Sequence, residues 1–305
     1  MNKILFWNEE KIGISLIKIV VVLLILFICT MILLLVHMSL PAIKVFGLSF
    51  ITNSEWNPVE EVFGAWPFIY GTLVTSFLAL LLATPFGVFS ALFISDICPL
   101  RFKGILSTLV DLIASIPSIV FGMWGLFFLA PFVRDHLAPL LREIPLSGPL
   151  FSGPCFGISI LSASMILAIM ILPTISSLTR EIFNAVPTTY KEAALAIGAT
   201  NFEKIKLSLL RPSLVGIIGA LGLALARAIG ETMAVVMLIG NTPQVVLSLL
   251  APGATMASIL ANEYAEASST LHLASLCYIA VILFAITMIV NFLARILIRV
   301  LSPKW

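Results

Sequence analysis

The chain has 305 residues, of which 60% are hydrophobic and only 10% charged, with a formal net charge of +2. Roughly a quarter of the residues in a soluble domain are charged, so this composition excludes a soluble globular protein and marks an integral membrane protein set in a lipid bilayer. Lys and Arg form no dense run, which excludes nucleic acid as a partner.

Apolar runs of the roughly 20 residues needed to cross a bilayer fall at about 14–36, 70–93, 106–131, 156–178, 214–240 and 272–298. The expected fold class is therefore an all-α polytopic membrane protein with six transmembrane helices behind a short segment, 1–13. The first run has a basic start like a signal peptide, but it is too long and lacks a small-residue cleavage site, so it is expected to stay as an anchor. Placing both termini in the cytoplasm puts thirteen of the 17 Lys and Arg residues inside and only Lys44, Arg134 and Arg142 outside, with Arg227 in a span. That asymmetry orients the chain and places the loop 179–213 in the cytoplasm.

The expected outer loop 38–69 carries Trp56, Pro58, Glu60, Glu61 and Trp66, as an interfacial aromatic belt or a docking surface would. The loop 241–271 has Glu263 and Glu266 and no basic residue. In the third span, Asp111 precedes Ser115-Ile116-Pro117-Ser118 and reads either as a carboxylate reaching to the interface or as a cargo ligand. Pro85 and Pro173 are expected to kink their helices. Cys29, Cys98, Cys155 and Cys277 are scattered, and no metal site or disulfide is expected.

The loop before span five contains two capping boxes, Thr189 with Glu192 and Thr200 with Glu203. Gly198 is expected to end the first helix in the left-handed conformation, and Pro212 to end the second. The result is a helix–glycine–helix elbow whose first helix offers Ala193, Ala194, Leu195 and Ile197, an apolar set suited to a partner. Beyond it, Arg227 and Glu231 stand four residues apart in an apolar run and are expected to share one helical face and pair. Burying Arg at mid-span costs about 2.5 to 3.5 kcal/mol. Two readings are open: an ion pair joining helices, or a guanidinium lining the path of an oxyanion, with Glu231 moderating its grip. Gly216, Ala220, Ala224 and Ala228 recur every four residues, a stripe that lets another helix, expected from a second permease chain, approach closely.

Glu192-Ala193-Ala194 followed three residues later by Gly198 resembles the EAA loop of binding-protein-dependent ABC importer permeases, a family with a MetI-like fold. The family's I-x-L-P positions read Ser208-Leu209-Leu210-Arg211 here, with the proline one residue late. The string Ala226-Arg227-Ala228-Ile229-Gly230-Glu231-Thr232-Met233-Ala234-Val235 is similar to PstC-type permease subunits of the phosphate-specific ABC importer. Trp56-Asn57-Pro58, Phe63-Gly64, Pro67-Phe68-Ile69, Gly71-Thr72 and Ile116-Pro117-Ser118-Ile119-Val120-Phe121-Gly122 extend the resemblance from about residue 50 to the C-terminus.

The resemblance implies one permease domain over 14–305 in the bacterial inner membrane. It also implies a phosphate ion as cargo and transport roles for Arg227 and Glu231. Coupling to an ATPase would fall to Glu192, Ala193, Ala194 and Gly198. The implied partners are a paralogous PstA-like permease, a PstB-like ATPase dimer and an external PstS-like phosphate-binding protein. The chain has no GxxxxGK[ST], HExxH or GxSxG motif, so no catalytic residue and no cofactor is expected in it. A permease for sulfate or molybdate, or a secondary transporter with internal repeats and broken helices, are the alternatives.

Overall fold

The computed structural model describes residues 2–143 and 148–301. Among them the regular structure is helical, interrupted by two isolated β-bridges. Helix α1 (Asn2–Phe46) is followed by Gly47 at φ +56, which turns the chain into α2 (Ser49–Thr52). Next come α3 (Trp66–Leu92), α4 (Leu100–Ala114), α5 (Ser118–Trp124), α6 (Ala130–Phe132) and α7 (Ala138–Arg142). The second half comprises α8 (Ile160–Ala185), α9 (Thr188–Ala196), α10 (Asn201–Lys204), α11 (Arg211–Gly230), α12 (Met233–Ile239), α13 (Met256–Glu263) and α14 (Thr270–Leu301).

Among the described residues, six helical stretches are long and apolar enough to cross a membrane: Ile14–Phe46, Trp66–Ile97, Ser118–Arg142, Ile160–Ala185, Asn201–Gly230 and Thr270–Val300. The number matches the sequence expectation, while the boundaries shift, most of all in the third and fifth stretches, and the fifth ends at Gly230 instead of near 240. The third stretch was expected to include Asp111, but the helix breaks over Ser115–Pro117 and the crossing segment starts at Ser118. Proline disfavours the helical region for the residue before it, so Ile116 leaves the helix. The fifth stretch starts earlier than expected, at Asn201, because Pro212 does not end the helix that precedes it.

The reason is a recurring local device. Four π-helical turns, Phe93–Ile97, Gly125–Leu129, Val133–Leu137 and Ile205–Leu210, each end two residues before a proline: Pro99, Pro131, Pro139 and Pro212. Proline removes an N–H and presses its ring against the carbonyl of the preceding turn. One wider turn moves that carbonyl away and re-pairs the freed groups. Before Pro212, the Arg211 N–H reaches back five residues to the Lys206 carbonyl, and the helix continues. Pro85 and Pro173 lie inside α3 and α8 without ending either helix.

Helix α8 is the most buried of the six; α3, α4, α11 and α12 pack against it, and α1 joins the bundle through α14. Its N-terminus lies inside the protein, where unpaired amides would be costly. The chain after α12 folds back over it to supply acceptors: Ser159 N–H donates to the Leu238 carbonyl (2.9 Å), Ile160 to Ala251 (3.1 Å) and Leu161 to Leu249 (2.8 Å). The Ser159 hydroxyl, at the N-cap, accepts from Ser162 N–H. Near the C-terminal end of α3, its Ser90 hydroxyl donates to Ser176 of α8 at 2.8 Å. Glycine lets these helices meet: a Cβ on Gly87 would lie 2.7 Å from Ile175 Cγ2.

The small-residue stripe on α11 is filled from within the chain. Ala220, Ala224 and Ala228 are buried, and a Cβ on Gly216 would meet Ile182 of α8 at 2.8 Å. The stripe therefore seats α8, not a second permease, contrary to the sequence expectation. Trp56 also departs from the expected interfacial belt. It is buried edge-on against Phe63 and Phe68, and its indole N–H donates to Glu263 Oε2 at 3.0 Å. Trp66 stays exposed.

Because the α3–α8 seam has no room at Gly87, Gly87→Val is expected to lower stability by about 1 to 3 kcal/mol. The thermal melting midpoint of the purified protein in detergent should drop, and an unchanged midpoint would contradict this packing.

Candidate functional site

Two groups of residues carry the chemistry. The first lies where α11 ends. The helix runs to Gly230, and Glu231 follows in an extended conformation, φ −71 and ψ 125, before the chain turns into α12. Glu231 N–H still reaches the Ala228 carbonyl at 3.3 Å, and the Thr232 hydroxyl bonds to the Gly230 carbonyl at 3.3 Å. Gly230 has open space around its Cα, so the break needs no further room. An open cavity of about 430 Å³ adjoins it, lined by Gly230 and Thr232, by Leu260 and Ala261 of α13 and by Tyr264 just after that helix.

Arg227 projects from the last turn of α11 with its guanidinium exposed, and its Nη1 donates to the Thr174 hydroxyl of α8 at 3.0 Å. The helix ends before Glu231, so the two residues do not share a helical face, and among the described residues no ion pair joins them. The expected Arg227–Glu231 pair is thus replaced by an Arg227–Thr174 bond. A guanidinium has five N–H donors, so one bond to a neutral hydroxyl leaves most of them free for an anion.

The second group is the elbow. Helix α9 begins at Thr188, directly after Pro187, and has no side-chain cap. The expected Thr189 cap fails because Pro187, at φ −57, occupies the capping position and starts the helix one residue earlier. The other end follows expectation. Gly198 stands at φ +83, its N–H donates to Leu195 (3.0 Å), and Ala199 N–H donates to Ala194 (3.1 Å). These two bonds form a Schellman motif. The second capping box is also present: Glu203 N–H donates to the Thr200 hydroxyl at 3.3 Å and Thr200 N–H to Glu203 Oε2 at 2.8 Å.

Glu192, Ala193, Leu195 and Ile197 are exposed, Ile197 at 82%, whereas Ala194 turns inward and is only 8% exposed. The outward face therefore excludes Ala194. Behind the elbow, the carboxylate of Asp96 receives Lys191 of α9 at 2.7 Å and Lys204 of α10 at 2.9 Å. Asp111, read from sequence as an interface carboxylate or a cargo ligand, pairs with Arg180 of α8 at 3.3 Å.

Sequence reasoning missed Thr174 and Asp96. Thr174 sits among apolar residues 53 positions before Arg227 with nothing local to mark it. Asp96 had a faint signal, as an acidic residue at the end of an apolar run facing a lysine-bearing loop. No cluster of metal-ligating residues occurs among the described residues.

Taken together, six apolar helices among the described residues, an arginine in the last turn of the fifth span before the chain leaves the helix at Glu231, and a helix–glycine–helix elbow define a membrane permease of the ABC-importer type. A chain of the MetNI methionine ABC transporter in an inward-facing conformation shares this fold, with a TM-score of 0.55 and 20% identity over 79% of this chain and 95% of that chain. Residues 83–305 match the family described as binding-protein-dependent transport system inner membrane component, and the chain belongs to that family. It is a multi-pass inner-membrane protein.

Similar chains include the phosphate transport system permease protein PstC of Mesorhizobium japonicum, 43% identical over 87% of this chain and 83% of that protein. The protein of that name from Xylella fastidiosa is 42% identical over 86% of this chain and 82% of its own length. The one from Pasteurella multocida is 40% identical over 88% and 85%.

Gly198 has nothing near its Cα, so a side chain there strains only the left-handed backbone. Gly198→Ala is expected to cost about 1 to 2 kcal/mol and to lower the melting midpoint, while Gly198→Asn keeps most of the stability. Equal midpoints for wild type and Gly198→Ala would contradict the Schellman geometry.

Proposed function

We propose that this chain is the transmembrane permease subunit of an ATP-driven importer that carries inorganic phosphate into the cytoplasm. The single observation that carries this reading is Arg227, an arginine inside an apolar span, anchored by one hydroxyl and otherwise free. Carrying such a group in a membrane is worth its cost only where it meets a partner or a watery path. The planar fork matches two oxygens of a tetrahedral oxyanion. The names of the relatives support phosphate over sulfate or molybdate.

In this reading both termini and the elbow lie in the cytoplasm, as the distribution of basic residues supports. Phosphate is released from an external PstS-like binding protein and passes Arg227 and Glu231 at the broken end of α11. A pathway suits this geometry better than a tight site, because the chain leaves the helix at Glu231, one turn past Arg227, and an open cavity adjoins Gly230 and Thr232, so that the anion can move on. Glu231 adds negative charge close by and shortens the anion's stay.

Energy comes from a PstB-like ATPase dimer, since the chain has no phosphate-binding loop of its own. The exposed face of α9, with Glu192, Ala193, Leu195 and Ile197 and closed by Gly198, seats in that ATPase. Helix continuity from Asn201 to Gly230 carries its motion to Arg227. A PstA-like paralogous permease supplies the other half of the pathway.

Arg227→Gln is expected to cut phosphate uptake at least about tenfold in assembled complex, because a charge-assisted hydrogen bond contributes about 1.5 kcal/mol or more. Wild-type uptake by that variant would remove Arg227 from the pathway. A cysteine at Ile197 is expected to crosslink to the ATPase, whereas one at the inward-facing Ala194 is not. Absence of the Ile197 crosslink in assembled complex would remove the elbow from the contact.

A further inference from the structure

Asp96 is among the most enclosed charged side chains described, 8% exposed, and it lies in the π-turn Phe93–Ile97 at the end of the second span. Its two oxygens are used separately: Oδ1 accepts from Lys191 and Oδ2 from Lys204. These lysines belong to the two arms of the elbow, one on each side of Gly198. A single carboxylate thus fixes the angle between the arms and ties both to another span.

The connection continues on both sides. Lys204 is the last residue of α10 and abuts the second π-turn, Ile205–Leu210, where the elbow enters span five. Lys103 of α4 donates to the Ser95 carbonyl at 3.2 Å and to Asn184 Oδ1 at 3.4 Å, holding the Asp96 turn against the end of α8. The elbow therefore has three links to the bundle. Two are covalent, from α8 through Val186 and Pro187 and onward into span five, and the third is the ionic link through Asp96 into span two. Losing the carboxylate would leave two ammonium groups facing each other with no counter-charge, which drives the arms apart.

We propose that Asp96 is a positioning residue that couples the elbow to the second span, so that a displacement of α9 moves Trp66–Ile97 together with Asn201–Gly230. This rests on the reading of the elbow as the ATPase contact. Span two packs along α8, which holds Thr174, the anchor of Arg227. The ionic link thus reaches α8 through span two, beside the direct connection of α8 to α9, while the other covalent link approaches the arginine from α11. The two elements whose side chains form the Arg227–Thr174 bond would move in step.

The test uses the whole transporter, this permease with its paralogous permease, ATPase and binding protein, in proteoliposomes. The readout is phosphate imported per ATP hydrolysed, beside the melting midpoint. Asp96→Asn is expected to lower the ratio about tenfold, within the usual range of a coupling free energy, and Asp96→Glu to restore much of it. A wild-type ratio in Asp96→Asn, with or without a lowered midpoint, overturns the proposal and leaves Asp96 a simple brace.

Should Asp96→Asn fail to assemble, Lys204→Gln keeps the Lys191 pair and is expected to lower the ratio at least about twofold. An unchanged ratio there also overturns the proposal. Crosslinking from Ile197→Cys in the wild-type Asp96 background separates the two readings. A crosslink with an unchanged Asp96→Asn ratio defeats only the ionic link, and no crosslink in assembled complex defeats the elbow reading and this proposal with it.

Discussion

A chain in lipid has no water to satisfy its amides and carbonyls, and this requirement governs where the structure is regular and where it breaks. Helix α8 starts inside the protein, and the loop after α12 folds back to give carbonyls to Ser159, Ile160 and Leu161. Similarly, the Thr72 hydroxyl of α3 accepts the Met256 N–H at the start of α13. At Pro131, Pro139 and Pro212 a π-turn ending two residues earlier re-pairs the backbone and the helix continues, whereas Pro85 and Pro173 are accommodated inside α3 and α8 without one. The break at Glu231 and Thr232 is different, because it adjoins a cavity and lies one turn past Arg227, whose guanidinium bonds to the Thr174 hydroxyl.

The same constraint explains the placement of charge. Asp96, Asp111, Arg180, Lys191 and Lys204 form ion pairs near the elbow. At the other end, Glu263 accepts from both Trp56 and His272, which closes the loop between α2 and α3 onto α13 and α14. Arg227 stands apart from both groups. In the proposed mechanism this separation is the working principle: ionic contacts gather where force enters, and an under-coordinated guanidinium waits where cargo passes.

Much of this was legible in the sequence because it depends on local rules. Six spans follow from apolar length alone, the Schellman turn from Gly198, and the second capping box from Thr200 and Glu203. What could not be read depended on long-range packing or on one dominant local competitor. Pro187 took the cap expected of Thr189. Helix α8 took the small-residue stripe expected to seat a partner. Thr174 and Asp96 gain their roles only when distant helices meet. In the sequence Pro212 looks like a stop because a single proline usually is one, and only the π-turn Ile205–Leu210 shows how the helix passes it.

The central claim is that the elbow and the arginine lie on one stiff element, so that drive at one end arrives at the other. Spin labels at Phe202, beside the elbow, and at Leu223, one turn before Arg227, are both on exposed positions of that element. Their separation should be measured by pulsed electron spin resonance in the assembled transporter, without nucleotide and with ATP bound. The same distance in both states is expected. A distance that changes with ATP would show the Ile205–Leu210 turn absorbing the motion before it reaches Arg227, and would contradict the account.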